Sequence, residues 1–302
     1  MIGFGLIGGS IARALAEAPD RAAWTVVAWS PSGLGPARAA ADGIVAAAVS
    51  EPEAALEGAE LVVLAAPPGA TLDRLDWLAR VVGSTLDPGA VLTDVASTKG
   101  AIVSRATELG LRFVGGHPMA GREAAGYAAA AADLFRDRPW VVVPTDPDDV
   151  GAILAVETLA VACGGRPVRL GAVAHDAAVA AVSHLPLVLA AALVEAVAGG
   201  SDGRTAPRDW PLARDLAAGG WRDMTRLARG DVAMGAGIAA TNAPELASRI
   251  RALRDVLDGW LAELERPGGP DESALAERLR VARDQLESPG ESPAESQAEP
   301  PA

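Results

Sequence analysis

A few residue types in this sequence are scarce enough, and grouped tightly enough, to point to chemistry. The chain has 26 basic residues, and Lys99 is the single lysine among them. It stands in TDVASTKG with Asp94 and Ser97. Arginine serves nearly everywhere else, so a compact ammonium here reads as one required in a tight site. Of the three histidines, His117 lies in GGHPMAG, where glycines and Pro118 describe a turn that holds the imidazole in place. A neutral imidazole near pH 7 accepts a proton. With Ser97 nearby it can form a Ser–His pair, in which the hydroxyl orients the imidazole or the imidazole activates the hydroxyl. His184 sits in an apolar helical stretch before Leu185 and Pro186, and is either a core histidine or one that faces a crevice. His175, beside Asp176 at a helix start, reads as a capping or solvent residue. Arg222 and Arg226 are four apart in GGWRDMTRLARG, which puts them on one helix face. That face is either solvated or an arginine clamp for a substrate carboxylate, with Asp223 able to brace one guanidinium.

The chain opens MIGFGLIGGS, in which Gly3, Gly5 and Gly8 form G-x-G-x-x-G. Such a turn allows a tight bend, backbone approach to a pyrophosphate, and close packing of helix on strand. SIARALAEA follows as a helix whose N-terminal amides would face phosphates. The strand WTVVAWS ends at Ser30, where a ribose-binding acid is expected about 20 residues beyond the turn. No acid stands there, so the choice between NAD and NADP stays open.

The elements that position these residues alternate through the first half. Strand-like VAAAV, AELVVLAAPP, AVLTDVAS, RFVGGHP, WVVVPT and RPVRLG are separated by helical segments, an order that argues for a parallel sheet covered by helices. Lys99 and His117 then fall at strand C-terminal edges, which border the ligand crevice of an open α/β sheet. From about Ala172 onward the periodicity is helical. We expect a dinucleotide-binding domain over 1–171, a helical substrate and dimerisation domain over 172–266, and a polar tail over 267–302 with one helix followed by disorder. Only Met1 and Ile2 precede the turn. A truncated first strand would leave its neighbours' backbone groups unpaired, so a fuller strand of about five to ten residues is expected upstream of Met1.

The net charge of −13 disfavours nucleic acid and anionic membranes as partners. The lone Cys163 forbids an intrachain disulfide and fits a reducing cytoplasm. The start lacks the regions of a signal peptide, and no uncharged apolar run of about 18 residues stands out as a membrane span.

Taken together, GFGLIGGS, TDVASTKG, GGHPMAG, HDAAVAAVSHLP and GGWRDMTRLA resemble, in order and spacing, the prephenate/arogenate dehydrogenases of tyrosine biosynthesis, from residue 1 to about Glu265. The resemblance implies a Rossmann-like N-terminal domain, an all-α C-terminal domain that forms a homodimer, and an active site between them. The implied reaction is NAD(P)-dependent oxidative decarboxylation of prephenate to 4-hydroxyphenylpyruvate, or of arogenate to tyrosine, with no metal. It makes His117 the base for the ring 4-hydroxyl and Ser97 its hydrogen-bonding partner. It makes Arg226 the carboxylate clamp, with Lys99 and His184 as supporting residues of the substrate pocket. Cofactor contacts are implied at Gly3, Gly5, Leu6, Ile7, Gly8, Ser30, Ala66, Pro67 and Ser97.

The sequence departs from that pattern at two further points. Leu187 stands where family members often carry a second histidine in SHLPH, and Ser30 replaces the acid expected for NAD. No regulatory or chorismate mutase domain is visible. Two rivals remain. Another two-domain dehydrogenase, such as a β-hydroxyacid dehydrogenase, explains the turn but not GGHPMAG with RDMTRLA. A degenerate, non-catalytic cofactor-binding relative is opposed by the joint presence of His117, Ser97, Lys99 and Arg226.

Overall fold

A computed structural model describes residues 1–122, 124–199 and 210–287. By contact density the chain divides into Met1–Arg249 and Ile250–Ala302. In the first unit, helices α1 (Leu6–Glu17), α2 (Leu34–Ala41), α3 (Pro68–Val81), α4 (Gly100–Glu108) and α5 (Val150–Ala162) alternate with strands. The strands are β1 (Val27–Ala28), β2 (Ala47–Ala48), β3 (Leu61–Leu64), β4 (Val91–Asp94), β5 (Phe113–Pro118), β6 (Pro139–Pro144) and β7 (Arg166–Arg169).

The strands β3-β4-β5-β6-β7 form one ladder and β1-β2 another. Ile2 joins the two by parallel bridges to Trp29 and to Leu64. The central slot of the sheet is therefore filled, contrary to the expected gap. Ile2 N donates to Val63 O at 2.9 Å and Ala65 N to Ile2 O at 2.7 Å. On the other side, Trp29 N donates to Met1 O at 3.0 Å and Gly3 N to Trp29 O at 2.9 Å. This very short extended segment thus pairs with backbone groups of Trp29 on one side and of Val63 and Ala65 on the other.

The sheet is parallel except at β6, which pairs with β5 antiparallel while β7 runs parallel to β6. Alternate side chains of each strand go to opposite faces. Val63, Val91, Val114 and Val142 pack with Ile11 and Leu15 of α1 and with Ile153, Val156 and Leu159 of α5. Val62, Leu64, Leu92 and Phe113 pack with Leu75 and Leu78 of α3 and Ile102 of α4 on the other side. Each such buried aliphatic side chain contributes roughly 1.5–3 kcal/mol, so both faces hold the strand ends in register.

After β7 the first unit is helical. Helix α6 (Ala172–Val179) runs through a π segment (Ala180–His184) into α7 (Leu185–Ala198). Helices α8 (Trp210–Asp215), α9 (Gly219–Thr225) and α10 (Val232–Thr241) follow, with Arg226–Arg229 in a 3-10 turn between the last two. The continuous stretch Ala172–Ala198 is, by length and composition, apolar enough to cross a membrane, with a mean hydropathy of 2.2 in its most apolar window. The expectation that no such run stands out is corrected here. The run carries buried His175, Asp176 and His184, whose hydrogen bonds tie it to the sheet edge and to Asn242. Helix α11 (Ala243–Leu264) leads into the second unit, where α12 (Glu272–Glu287) supplies Arg278 to stack 4.7 Å over the Trp260 ring. The helix expected in the tail is thus present; the disorder expected beyond it lies outside the described residues.

Candidate active site

The dinucleotide turn is built by steric necessity. Gly3 has φ +94, and a Cβ there would lie 2.3 Å from Ala65 O. A Cβ on Gly8 would lie 2.6 Å from Gly3 O, so α1 can approach the turn only without one. Gly9, the doubled glycine, abuts the Tyr127 ring in the same way, at 2.7 Å. Gly5 is different: a Cβ there meets nothing within 4 Å. It caps α1 and no side chain bonds the helix's first amides. A glycine with open space before free N–H groups is what a pyrophosphate requires, so these residues fit a dinucleotide. Ala66 and Pro67 follow β3 at the same edge. Ser30 is buried after β1, and among the described residues its Oγ has no hydrogen-bond partner.

Asp94 ends β4 fully buried and organises the next loop. Its Oδ2 accepts from Ala96 N at 3.0 Å, and its Oδ1 accepts from Gly116 N at 3.1 Å. Lys99, 0% exposed, turns its ammonium onto the same carboxylate. Burial lowers the Lys99 pKa, and the Asp94 charge opposes that shift. The lysine therefore has no exposed surface, and its ammonium is held by Asp94. Gly115 and Gly116 exist for this packing: a Cβ on the first would lie 3.0 Å from Lys99 Cδ, and on the second 2.5 Å from Asp94 O.

His117 stands at the C-terminal edge of the sheet as expected, though in strand and not in a turn. Pairing with β6 opposite Val141 carries β5 on through Pro118. Its Nδ1 lies 2.8 Å from His175 Nε2, and His175 Nδ1 lies 2.8 Å from Asp176 Oδ1. Asp176 also accepts from Lys99 N at 2.8 Å and from Gly100 N at 2.7 Å. The expected Ser97–His117 hydrogen bond is not made among the described residues, and His175 takes that place. His175 is not a capping or solvent residue: it is 1% exposed. Folding α6 across the loop between β4 and α4 brings it there, which sequence spacing does not reveal. Ser97 remains partly exposed in the same loop.

Burial is the main cause that pushes the His117 pKa well below 6.5, with His175, Lys99 and His184 adding to it. The imidazole is therefore neutral at neutral pH. His184 is fully buried and likewise shifted down, chiefly by burial, with Asp176 opposing. Asn242 Nδ2 donates to Asp176 O at 2.9 Å and lies 3.1 Å from His184 Nδ1. Among the described residues His184 Nε2 is buried with no partner at hydrogen-bond geometry, and the Ser97 backbone opposes the downward shift. Asn242 was missed in the sequence, as were the roles of His175 and Asp176. The adjacent pair His175-Asp176 was the available signal.

A cavity of about 530 Å³ opens between the turn and the helices; Val95 and Ser183, the chain neighbours of Asp94 and His184, line it, whereas His117 and Ser97 do not. Gly5, Leu6, Ile7, Ala66 and Pro67 form one wall, and Ser183, Leu187, Arg226 and Met234 form another. The helix ends at Thr225 and Arg226 begins the 3-10 turn, so Arg222 and Arg226 do not share one continuous α-helical face. Of these two, Arg226 reaches the cavity wall, which Arg122 also lines.

Two family models match the chain: "Prephenate dehydrogenase, nucleotide-binding domain" over residues 14–169, and "Prephenate dehydrogenase, dimerization domain" over residues 172–272. The prephenate dehydrogenase of Bacillus subtilis is 29% identical over 269 residues, spanning 88% of this chain and 68% of its own length. Among solved structures, Synechocystis arogenate dehydrogenase is similar with a TM-score of 0.73 and 31% identity, covering 94% of this chain and 98% of its own. The Aquifex aeolicus prephenate dehydrogenase in complex with hydroxyphenyl propionate and NAD+ has a TM-score of 0.78 and 25% identity, covering 95% and 96%.

Proposed function

This chain belongs to the prephenate dehydrogenase family, and we propose that it converts prephenate to 4-hydroxyphenylpyruvate and carbon dioxide with reduction of NAD(P)+, in tyrosine biosynthesis. The observation that carries this reading is the single cavity that has the dinucleotide turn on one wall and Arg226 on the other. Arogenate is the second reading, favoured by Leu187 in that wall and by the likeness to an arogenate dehydrogenase.

Gly3 and Gly8 shape the turn, Gly5 leaves room for the pyrophosphate, and the Leu6, Ile7 and Gly8 end of α1 faces it. Ser30, Ala66, Pro67 and Ser97 border the rest of the cofactor. Bound NAD(P)+ supplies the acceptor for a hydride from the carbon that carries the ring hydroxyl. Arg226 holds a substrate carboxylate by a charge-assisted fork. His117, neutral for the reasons above, takes the hydroxyl proton on Nε2 as that carbon becomes a carbonyl. Ser97 contacts the same hydroxyl. Lys99 and His184 support the pocket from the loop after β4 and from the π segment. Cleavage of the bond to the ring carboxylate then releases carbon dioxide, its electron pair makes the ring aromatic, and the carbonyl oxygen takes up a proton to become the phenol hydroxyl.

The helical segment supports a homodimer. Val182, Leu212, Leu216 and Met224 are exposed on it, and its family model is named for dimerization. Sedimentation at twice the chain mass is the expected result. A cytoplasmic location goes with the lone buried Cys163, whose thiol burial pushes up to about 12. Steady-state assays with prephenate and arogenate, each with NAD+ and NADP+, test the function. Reduced cofactor from one of the two substrates supports it. Reduction only with a β-hydroxy acid returns the chain to the other dehydrogenases.

A further inference from the structure

We infer that His175 and Asp176 are positioning residues of the reaction: through them the protein presents His117 with Nδ1 protonated and the Nε2 lone pair free for the substrate hydroxyl. This rests on the reading of His117 as the base.

With His175 as a neutral imidazole, each link in the chain has one polarity. Asp176 accepts amide protons from Lys99 and Gly100, at 2.8 and 2.7 Å. Burial works against its charge, but the His175 contact and the two amides outweigh that and hold its carboxyl below the ordinary range. Asp176 is thus a carboxylate and only accepts. His175 Nδ1, 2.8 Å from Asp176 Oδ1, must then be the donor. A neutral imidazole with Nδ1–H has an unprotonated Nε2. That Nε2 is 2.8 Å from His117 Nδ1, which must donate in turn. His117 Nε2 is left with its lone pair. It makes no hydrogen bond among the described residues, and it is not among the polar atoms sealed from solvent without a partner.

The two rings meet edge to face, with centroids 5.1 Å apart at 74°. The anchor is rigid, because one carboxylate bridges α6 to the start of α4. In the reaction the Nε2 lone pair forms the new N–H bond, and the broken O–H bond leaves its electron pair on the substrate oxygen. The positive charge appears on His117 and is stabilised through His175 by the Asp176 charge. Asp176 keeps its charge and takes no proton, the role a buried aspartate has behind a catalytic histidine.

The test uses the full chain labelled with ¹⁵N-histidine. Only three histidines contribute, and single-histidine variants assign them. Nδ1-protonated, Nε2-unprotonated His117 and His175 are expected. His184 should show the reverse, because Asn242 donates to its Nδ1. His175→Leu should shift His117 toward the Nε2–H tautomer and lower kcat by about 10²-fold, with KM and the cofactor Kd little changed. His175→Gln, whose carbonyl can accept from His117 Nδ1, should keep the tautomer and recover part of kcat. If the Leu variant does not fold, the wild-type spectrum and the Gln variant decide. A wild-type His117 protonated at Nε2 overturns the inference. So does full turnover in His175→Leu when His117→Asn is inactive, and that result leaves the base reading standing. Near-normal turnover in His117→Asn instead overturns the base reading.

Discussion

The glycine turn and the His117 cluster are assembled in opposite ways. Gly3, Gly5 and Gly8 lie within one short stretch, and their geometry follows from local sterics against Ala65 and Gly3 itself. The cluster draws Asp94 from the end of β4, Lys99 from the loop that follows it, His117 from β5, and His175, Asp176 and His184 from a helical stretch that follows β7. The turn requires the absence of side chains; the cluster requires buried polar groups to be mutually satisfied. Errors in the first should appear in stability and cofactor affinity. Errors in the second should appear in turnover, or in the cost of an unpaired charge.

The largest expected effect belongs to the cluster. His117→Asn should keep the fold and the cofactor affinity while kcat falls by about 10²–10⁴, the span for a positioned acid–base group. The His117 pKa is held well below 6.5 in the free protein, and its neutral form is the active one. The acid limb of kcat/KM should therefore lie below pH 6.5, with activity lost as pH falls through it.

Asp94→Asn should be nearly as severe by another route. It removes the carboxylate that pairs with the fully buried Lys99 ammonium, and removal of one partner of a buried pair costs about 3–5 kcal/mol. Thermal melts read this directly. An unchanged melting temperature would mean that Lys99 reaches another anion.

Arg226→Ala should raise KM by about 10- to 100-fold with a smaller change in kcat, because ground-state binding is lost. A lysine replacement should restore only part of it, since the fork is gone. An unchanged KM would place Arg226 on the solvated face.

The smallest effects separate two glycines of one turn. Gly3→Ala should lower the melting temperature, since φ +94 and the Ala65 carbonyl both oppose a Cβ. Gly5→Ala meets nothing in the protein, so its effect should be confined to cofactor titration, at about a tenfold weaker Kd. Equal melting losses in both would break the distinction between structural and ligand-facing glycines.

Much of the first region could be read from the sequence because its signals are contiguous. The turn, the strand–helix alternation, and the edge positions of Lys99 and His117 follow from period and punctuation. The antiparallel β6 could not be read, because strand direction depends on pairing partners and not on composition. His175 read as a capping residue because its burial comes from a fold contact with β5, 58 residues away. The expected gap before Gly3 is closed by backbone pairing of Ile2 with both neighbours, contacts that depend on the fold and not on composition.

The central claim, that this cleft oxidises and decarboxylates one small acid, is tested most directly by one progress curve with prephenate in which reduced cofactor and carbon dioxide are followed together. The two should rise one to one, and both should vanish in His117→Asn while the cofactor still binds. Reduced cofactor without carbon dioxide, or neither from prephenate nor from arogenate, would contradict it.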